Sequence, residues 1–576
     1  RSLKVGDLVL LLLPLETNKL ELKWQGPFPV TRKVSLYDYQ IKTKSGKLKV
    51  FHINMLKLYN VRTQESDADD APLCAAIASV LTHENNEEEL LVQDSDAFVH
   101  YNVKQKESYT DVLINPDLSR TQSSDLKKLI FEFQDIFSDV PKITNLIKHK
   151  IVLKSDDVVQ CKPYPVPIHL REKLDKEVDD MLEAGIISPS TGPFASPIVI
   201  IMKPDKSIRL CVNYKQLNSI SQFDPEPMVL IDDIFDKLGG SHFFSTCDMA
   251  KGYYQCALEE ESKKYTTFCH PYKGLFSFES VPFGLSSAPA TFTRMMRKLL
   301  NGTENLEFYL DDVITHTETW NVHMKALRVF FTRVRDANIS LRPIKCRFGF
   351  SSVKFLGHLV DEDSKLPNPE NLQKILEASR PETKKQIKSL LGSCGFYQQY
   401  IPKYSEMVAP LTDCLRKLKP NKIDWGSREE TSFQEIKRVF LSPLVLKLVC
   451  LDKEFVIRSD ASDVGIAAVL LQETDGILHP VCFASKKLSD REKLYCISER
   501  EAMASVWGIL KFHKYLYGRE FTLETDHKPC SILKLNDSSS VRLQRWSMLL
   551  QQYQFKIKYI PGDTCLISDF LSRHFK

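Results

Sequence analysis

Two adjacent carboxylates, Asp311 and Asp312, stand in an otherwise apolar and aromatic run, Glu307-Phe308-Tyr309-Leu310-Asp311-Asp312-Val313-Ile314. The pattern predicts a β-hairpin with strands packing below and an acidic tip in solvent. Neighbouring carboxylates repel, so the pair is costly unless water or a cation neutralises it. A hard divalent ion such as Mg²⁺ takes one or two carboxylates plus substrate phosphates, which suits this tip. An ordinary acidic turn has the same composition. A Tyr-x-Asp-Asp match also arises by chance in roughly 5% of chains this long, so corroboration must come from elsewhere.

Asp248 supplies some. It ends the strand-like run His242-Phe243-Phe244-Ser245-Thr246-Cys247 and precedes Lys251-Gly252-Tyr253-Tyr254-Gln255. Four more carboxylates lie towards the C-terminus. Asp460 is near the end of the strand-like Phe455-Val456-Ile457-Arg458-Ser459, and Glu501 lies in a helix starting near Ser498. Asp526 ends the alternating run Phe521-Thr522-Leu523-Glu524-Thr525, and Asp569 falls at a predicted helix start.

The elements that must position these groups follow from periodicity and punctuation. Residues 1–60 carry 11 Lys/Arg against 4 Asp/Glu and read as four or five short strands, a small basic β-barrel. Such a surface attracts a phosphate backbone, though lysine-blunted strand edges produce the same charge. Residues 61–100 reverse the balance, with 10 acidic groups and only Arg62, and read as a solvated linker. From Asp125 an apolar stripe (Leu126, Leu129, Ile130, Phe133) predicts a helix. A second stripe, Leu170, Leu174, Val178, Met181 and Leu182, ends at Gly185, where a C-terminal cap belongs. Strands Ser196–Met202 and Ile208–Val212 flank the basic turn 203–207, where Lys203 and Arg209 are candidates to clamp a triphosphate, although such a sequence on its own is more often an ordinary surface turn. A helix begins at Pro289, another covers Trp320–Ala337, and Val353–His358 reads as one strand.

The 14 cysteines form no C-x-x-C pair, so neither a zinc site nor a disulfide framework is suggested, and a reducing compartment is expected. The apolar run Leu8–Leu13 is too short to span a bilayer, no secretory pattern is visible, and no membrane contact is expected. With 576 residues several domains are expected.

Strand, helix, two strands, helix and strand, with carboxylates on separate strands, outline a split βαβ palm. Here the sequence resembles the reverse transcriptase of gypsy-type LTR retrotransposons over roughly 123–440. The matching residues are Ala195-Ser196-Pro197, Asn213-Tyr214, Asp248 with Tyr253, Pro282-Phe283-Gly284-Leu285, Ala288-Pro289-Ala290-Thr291-Phe292, Tyr309-Leu310-Asp311-Asp312, Lys345-Cys346-x-Phe348 and Phe355-Leu356-Gly357-His358. Residues 452–574 resemble ribonuclease H through Ser459-Asp460-Ala461-Ser462, Glu501-Ala502-Met503-Ala504, Thr525-Asp526-His527 and Ser568-Asp569-x-Leu571-Ser572-Arg573. Lys23-Trp24-Gln25-Gly26-Pro27-Phe28 and His52-x-Asn54-Met55-Leu56-Lys57 resemble the GPY/F barrel that ends the integrase of the same elements.

The resemblance implies a multidomain α+β and α/β chain: a small basic β-barrel (1–60), an acidic linker (61–122), right-hand polymerase fingers and palm (123–360), thumb or connection (361–451) and a ribonuclease H-like domain (452–576). It implies RNA-directed DNA synthesis with hydrolysis of the RNA strand of the hybrid. Asp248, Asp311 and Asp312 would serve one centre, and Asp460, Glu501, Asp526 and Asp569 the other, each with two Mg²⁺ or Mn²⁺ ions. Tyr253 would exclude a 2′-hydroxyl, Lys203 and Arg209 would neutralise the triphosphate, and Phe283 and Gly284 would line the nucleotide pocket. Lys345 would act beside the substrate, and Phe355, Leu356 and Gly357 would grip the primer end. RNA template, DNA primer, RNA–DNA hybrid and dNTPs are the implied partners, with DNA or chromatin at the barrel and a dimer among the allowed assemblies. The implied location is the cytoplasm, within virus-like particles, or the nucleus. Three features complicate this reading. Lys206 stands where the family has glycine, and Cys565 and Ser568 stand where asparagine and alanine are usual. Ser498-x-x-Glu501 also matches a capping box, and Glu499 is a rival to Glu501. A remnant that only binds nucleic acid is the competing reading, although all seven carboxylates are present.

Overall fold

The computed structural model describes residues 8–14, 22–33, 38–42, 48–52, 56–58, 107–202, 208–417, 419–526 and 541–561. Lys203, Lys206, Cys565, Ser568 and Asp569 therefore lie outside the described residues, as does the linker 61–106. The chain divides into two compact units, Arg1–Ser95 and Asp96–Lys576.

In the first unit five strands form one antiparallel sheet, ordered Leu48–His52, Asp38–Lys42, Leu22–Lys33, Leu8–Pro14, Leu56–Leu58. Phe28, Val30, Ile41 and Leu56 are buried, while Arg32 and Lys33 are exposed, so among the described side chains the apolar ones make the core and these two basic ones face water.

The second unit holds the carboxylates. Its central sheet runs Leu306–Tyr309, Asp312–Thr317, Phe243–Asp248, Arg347–Phe350, Leu113–Ile114. Helices Ala288–Leu299 and Trp320–Asp336 add Phe292, Met295, Leu327, Phe330 and Phe331 to the surrounding core. The predicted stripe on Ile168–Glu183 buries Leu170, Leu174, Val178 and Met181, and Gly185 follows with φ +69°, the left-handed conformation that ends the helix. A separate sheet joins Ile208–Val212, Ser196–Met202, Phe268–His270, Gly274–Phe278 and Ile187–Pro189.

Two local expectations fail for identifiable reasons. Val353–His358 is not one strand: Val353–Phe355 and His358–Val360 pair antiparallel across a two-residue turn. Leu356 (φ 45°) and Gly357 (φ 78°) both take left-handed backbone, the conformation such a tight turn needs. The capping box at Ser498 is likewise absent. The helix spans Ile497–Lys511 with Cys496 at its N-cap, so Ser498 is already inside it.

Beyond the turn, Ser364–Pro367 pairs with Leu446–Lys447, closing off a helical segment between them. The last sheet runs Ile477–Lys487, Gly465–Thr474, Phe455–Ala461, Glu520–Thr525, Gln554–Tyr559, the first three antiparallel and the remaining pairings parallel. Helix Ile497–Lys511 lies against it, and Gly508 permits the approach: a Cβ there would sit 2.8 Å from Ala468 Cβ.

Candidate active sites in the palm and the C-terminal sheet

The central sheet brings Asp248 and Asp312 together. They are direct cross-strand partners in the antiparallel pairing of Phe243–Asp248 with Asp312–Thr317. Side chains opposite each other in this way lie within about 5.5 Å at their Cβ atoms. Tyr309 pairs with Asp312, leaving Leu310 and Asp311 as the hairpin tip, with Leu310 at φ 53°. The Met249 N–H donates to the Asp311 carbonyl at 3.1 Å, tying the tip to the end of the Asp248 strand. All three carboxylates are half-buried. Lys345 donates from Nζ to Asp248 Oδ2 at 3.0 Å, so positive charge already sits on the cluster.

Gly252, immediately before Tyr253, packs directly against the Asp311 tip. A Cβ at Gly252 would meet Asp311 Cβ at 3.2 Å and Phe292 Cζ at 3.0 Å, closer than most side chains pack, so its neighbours would have to give way. The Tyr253 ring stands edge-on to Phe283 (5.0 Å between centroids) and to Phe292 (5.4 Å), which fixes its orientation. Gly284 follows at φ 96°, held by Asn218, whose Nδ2 donates to the Gly284 carbonyl at 2.8 Å and whose Oδ1 accepts from the Ser286 N–H at 3.0 Å. Asn218 is a positioning group that no motif flagged. Lys251, half-buried with φ 50°, precedes Gly252, and burial lowers its ammonium to about 7 against the raising influence of Asp139 and Glu177.

The remaining substrate candidates divide. Arg209 is only 7% exposed, opposite Ile201 in its hairpin, so its side chain is largely withdrawn from solvent. Phe355 is buried at 4% in a core with Phe235 and Phe244, so it supports the turn and leaves Leu356 and Gly357 at its apex. Tyr397 OH donates to the Gly357 carbonyl at 3.0 Å and anchors that apex from the C-terminal end of helix Lys384–Phe396.

The C-terminal sheet assembles the second cluster. Asp460 lies one residue from the end of its strand, Glu501 lies in the first turns of the packed helix, and Asp526 follows the parallel strand Glu520–Thr525. Burial, then the charges of Asp460 and Asp526, raise the Glu501 carboxyl to about 7. Such a shift is what neighbouring carboxylates produce when they converge in a partly desolvated place. Glu499 instead accepts from Arg542 at 2.7 Å, which separates it from the cluster and favours Glu501. Lys403, from the helical segment before this sheet, forms an ion pair with Asp460. Nothing in the sequence marked it, since the contact is made by packing between distant segments.

Among the described residues no three Asp, Glu, His or Cys side chains are grouped closely enough to hold an ion unaided. The donor chemistry is nonetheless that of a hard divalent cation: carboxylate oxygens only, with a lysine ammonium on one carboxylate of each cluster. Mg²⁺ ordinarily completes its shell with water and substrate phosphate. Asp248, Asp311 and Asp312 would hold it in the palm, and Asp460, Glu501 and Asp526 in the C-terminal sheet.

Two family models match. Residues 201–360 fit the reverse transcriptase (RNA-dependent DNA polymerase) family, and residues 450–553 fit the RNase H-like domain found in reverse transcriptase. The chain is 35% identical over 467 residues to the retrovirus-related Pol polyprotein from transposon 297 of Drosophila melanogaster, covering 79% of this chain and 43% of the relative. It is 31% identical to the corresponding polyprotein from transposon opus of the same organism, covering 78% and 47%. The transposon Tf2-3 polyprotein of Schizosaccharomyces pombe is 29% identical, covering 78% and 34%. The chain thus spans less than half the length of these relatives. In fold it is similar to a foamy viral protease-reverse transcriptase solved with dsDNA, at TM-score 0.70 and 20% identity, covering 77% of this chain and 95% of that one. A second foamy viral structure with dsDNA gives TM-score 0.71 at 17% identity, covering 97% and 99%. With both domain models in this order, the chain carries a reverse transcriptase domain followed by an RNase H-like domain, and it is similar to the retrovirus-related Pol polyproteins of transposons.

Proposed function

We propose that the chain is an RNA-directed DNA polymerase that also hydrolyses the RNA strand of the RNA–DNA hybrid it makes. The observation that carries this is the cross-strand pairing of Asp248 with Asp312, with Asp311 at the adjoining tip and Gly252, next to Tyr253, packed against it. Mg²⁺, or Mn²⁺ in its place, two ions per centre, would activate the attacking oxygen and stabilise the leaving one. Asp248, Asp311 and Asp312 orient those oxygens in the palm. The Tyr253 ring lies under the incoming sugar and leaves no room for a 2′-hydroxyl. Phe283 and Gly284 line the nucleotide pocket, and the Leu356-Gly357 turn positions the primer end. Lys345 keeps positive charge beside Asp248, and Arg209, with Lys203, supplies charge towards the triphosphate.

In the C-terminal sheet, Asp460, Glu501 and Asp526, joined by Asp569, orient a water towards an RNA phosphate. RNA template, DNA primer, hybrid and dNTPs are the substrates, in keeping with the nucleic acid bound by the foamy viral relatives. The basic N-terminal sheet is an integrase C-terminal-like module that contacts DNA or chromatin, its net charge of +7 over residues 1–60 favouring a phosphate backbone. The enzyme acts in the cytoplasm within virus-like particles.

A DNA primer annealed to labelled RNA tests both activities in one tube, scoring extension and template cleavage. Asp311→Asn is expected to abolish extension and leave template cleavage of a preformed hybrid intact. Undiminished extension by that variant removes Asp311 from the centre.

A further inference from the structure

The helical segment before the C-terminal sheet does not merely precede it. Tyr400, Ile401, Tyr404 and Val408 share one hydrophobic core with Ala467, Val469, Leu471 and Phe483 of the sheet. A short turn inside this shared core carries Lys403, at φ 50°, immediately before helix Tyr404–Met407. The turn is pinned from the sheet side. The Ser405 N–H donates to Ser485 Oγ at 2.8 Å. A Cβ at Gly465 would lie 3.0 Å from Glu406 Cγ and 3.1 Å from Ser405 Oγ, so the two elements touch without intervening side chain. Held this way, Lys403 delivers its ammonium to Asp460. The two side chains are 29% and 32% exposed, partly withdrawn from the solvent that would screen the pair.

We propose that Lys403 is a tethered cation that competes with the divalent ion for Asp460, so that metal loading of the ribonuclease H centre is set by a residue from the preceding segment. The inference rests on the reading of Asp460 as a metal ligand. The ammonium and a divalent ion cannot share one carboxylate oxygen without strong repulsion at contact distance. An ion that binds Asp460 must therefore turn Lys403 away, and its flexible four-carbon stem allows this without moving the packed turn. Two positive charges are thereby ordered in sequence at one oxygen, and the metal affinity of the site is lower than its carboxylates alone would give.

Isothermal titration of the full chain with Mg²⁺ tests this without reference to catalysis. Three variants are compared with the parent: Lys403→Gly, which suits the left-handed backbone, Lys403→Arg, which keeps the charge, and Asp460→Asn. The expected result is an Asp460-dependent Mg²⁺ site that is on the order of tenfold tighter in Lys403→Gly, the worth of one charge-assisted hydrogen bond, and near parental in Lys403→Arg. Asparagine, which also tolerates φ near 50°, provides a second uncharged variant should glycine loosen the turn. Equal affinity in the parent, Lys403→Gly and Lys403→Asn, all weakened by Asp460→Asn, overturns the competition while leaving Asp460 a ligand. Titrations indifferent to Asp460→Asn in every background overturn the ligand assignment and the competition with it.

Discussion

Acid should unfold this protein through its buried histidines, and the one behind the palm carboxylates shows why. His323, on helix Trp320–Asp336, is fully buried against the two paired strands that carry Asp248 and Asp312. Its Nε2 lies 2.7 Å from Ser245 Oγ on one strand and its Nδ1 lies 2.9 Å from Thr317 Oγ1 on the other. Ser245 Oγ already accepts from the Gly349 N–H at 3.0 Å, so its hydroxyl hydrogen is free to donate to Nε2. The ring is therefore satisfied as a neutral imidazole, and a second proton would break the chain. Burial lowers His323 to about 3, and lowers His149, His316 and His358 to about 4, all from 6.5. Because the unfolded chain takes up protons first, stability is fully present above pH 6.5 and is lost as pH falls from 6.5 towards 4. Between pH 7 and pH 5 each group costs about 2 kcal/mol, and the four together about 7 kcal/mol, partly offset by Glu501, whose raised carboxyl takes up its proton first in the folded state over the same range. That is comparable to the whole stability of a typical domain, about 5–15 kcal/mol. Urea titrations at pH 7 and pH 5 measure it, and Trp320, stacked 6.0 Å from His323, provides the fluorescence signal. His323→Gln should remove about 2 kcal/mol of the pH dependence, since it deletes one titrating ring. A parent protein whose stability changes by less than ~1 kcal/mol between the two pH values would refute the buried-neutral reading.

Three further outcomes can be checked directly. Tyr253→Ala should let the palm incorporate ribonucleotides in primer extension, because the ring wedged against Phe283 and Phe292 is the proposed barrier; unchanged sugar discrimination removes it from that role. Glu501→Gln should lower degradation of RNA in a preformed hybrid by on the order of 100-fold or more while extension persists, whereas Glu499→Gln should lose only its pairing with Arg542 and keep nuclease activity. Gly508→Ala forces a methyl to within 2.8 Å of Ala468 Cβ and should destabilise the C-terminal sheet by about 1–3 kcal/mol in a denaturant titration.

The chemistry was more legible in the sequence than the packing. Asp248, Asp311 and Asp312 sit at strand ends, where alternation and a tight hairpin are visible in a single stretch of chain. The same holds for Leu170 to Met181, whose spacing alone places them on one helical face. Misreadings arose where a short local pattern had two physical solutions. Phe355-Leu356-Gly357-His358 is apolar enough for a continuous strand, yet glycine allows a turn, and only pairing with the following strand selects it. Ser498-x-x-Glu501 has the residues of a capping box, but the helix begins a residue earlier, behind Cys496. Contacts between distant segments left no local trace at all. Lys403 and Asp460, and likewise Asn218 and Gly284, meet only because packed elements bring them together.

Those long-range contacts bear on how the two carboxylate clusters are held relative to one another. The intervening segment leaves the palm side at Ser364–Pro367 and returns to pair with the same strand at Leu446–Lys447, so it is anchored at both ends. Its helices then share a core with the C-terminal sheet, with Tyr404 and Val408 packed among Val469 and Leu471. A second bridge bypasses the segment. Lys514 donates to Asp233 at 3.1 Å and to Asp236 at 2.7 Å, and Tyr515 OH donates to Asp236 at 3.1 Å, joining the C-terminal domain directly to helix Ile231–Leu238 beside the palm sheet. Helix Ile231–Leu238 buries Phe235 against Phe244 of the Asp248 strand itself. A flexible tether would let the clusters vary in separation and would need few such contacts. Here an apolar core and an ion-paired bridge act in parallel, so displacing one cluster from the other means breaking both. The distance between them is a property of the packed fold, as the proposed copying of a strand at one centre and cutting of it at another would require.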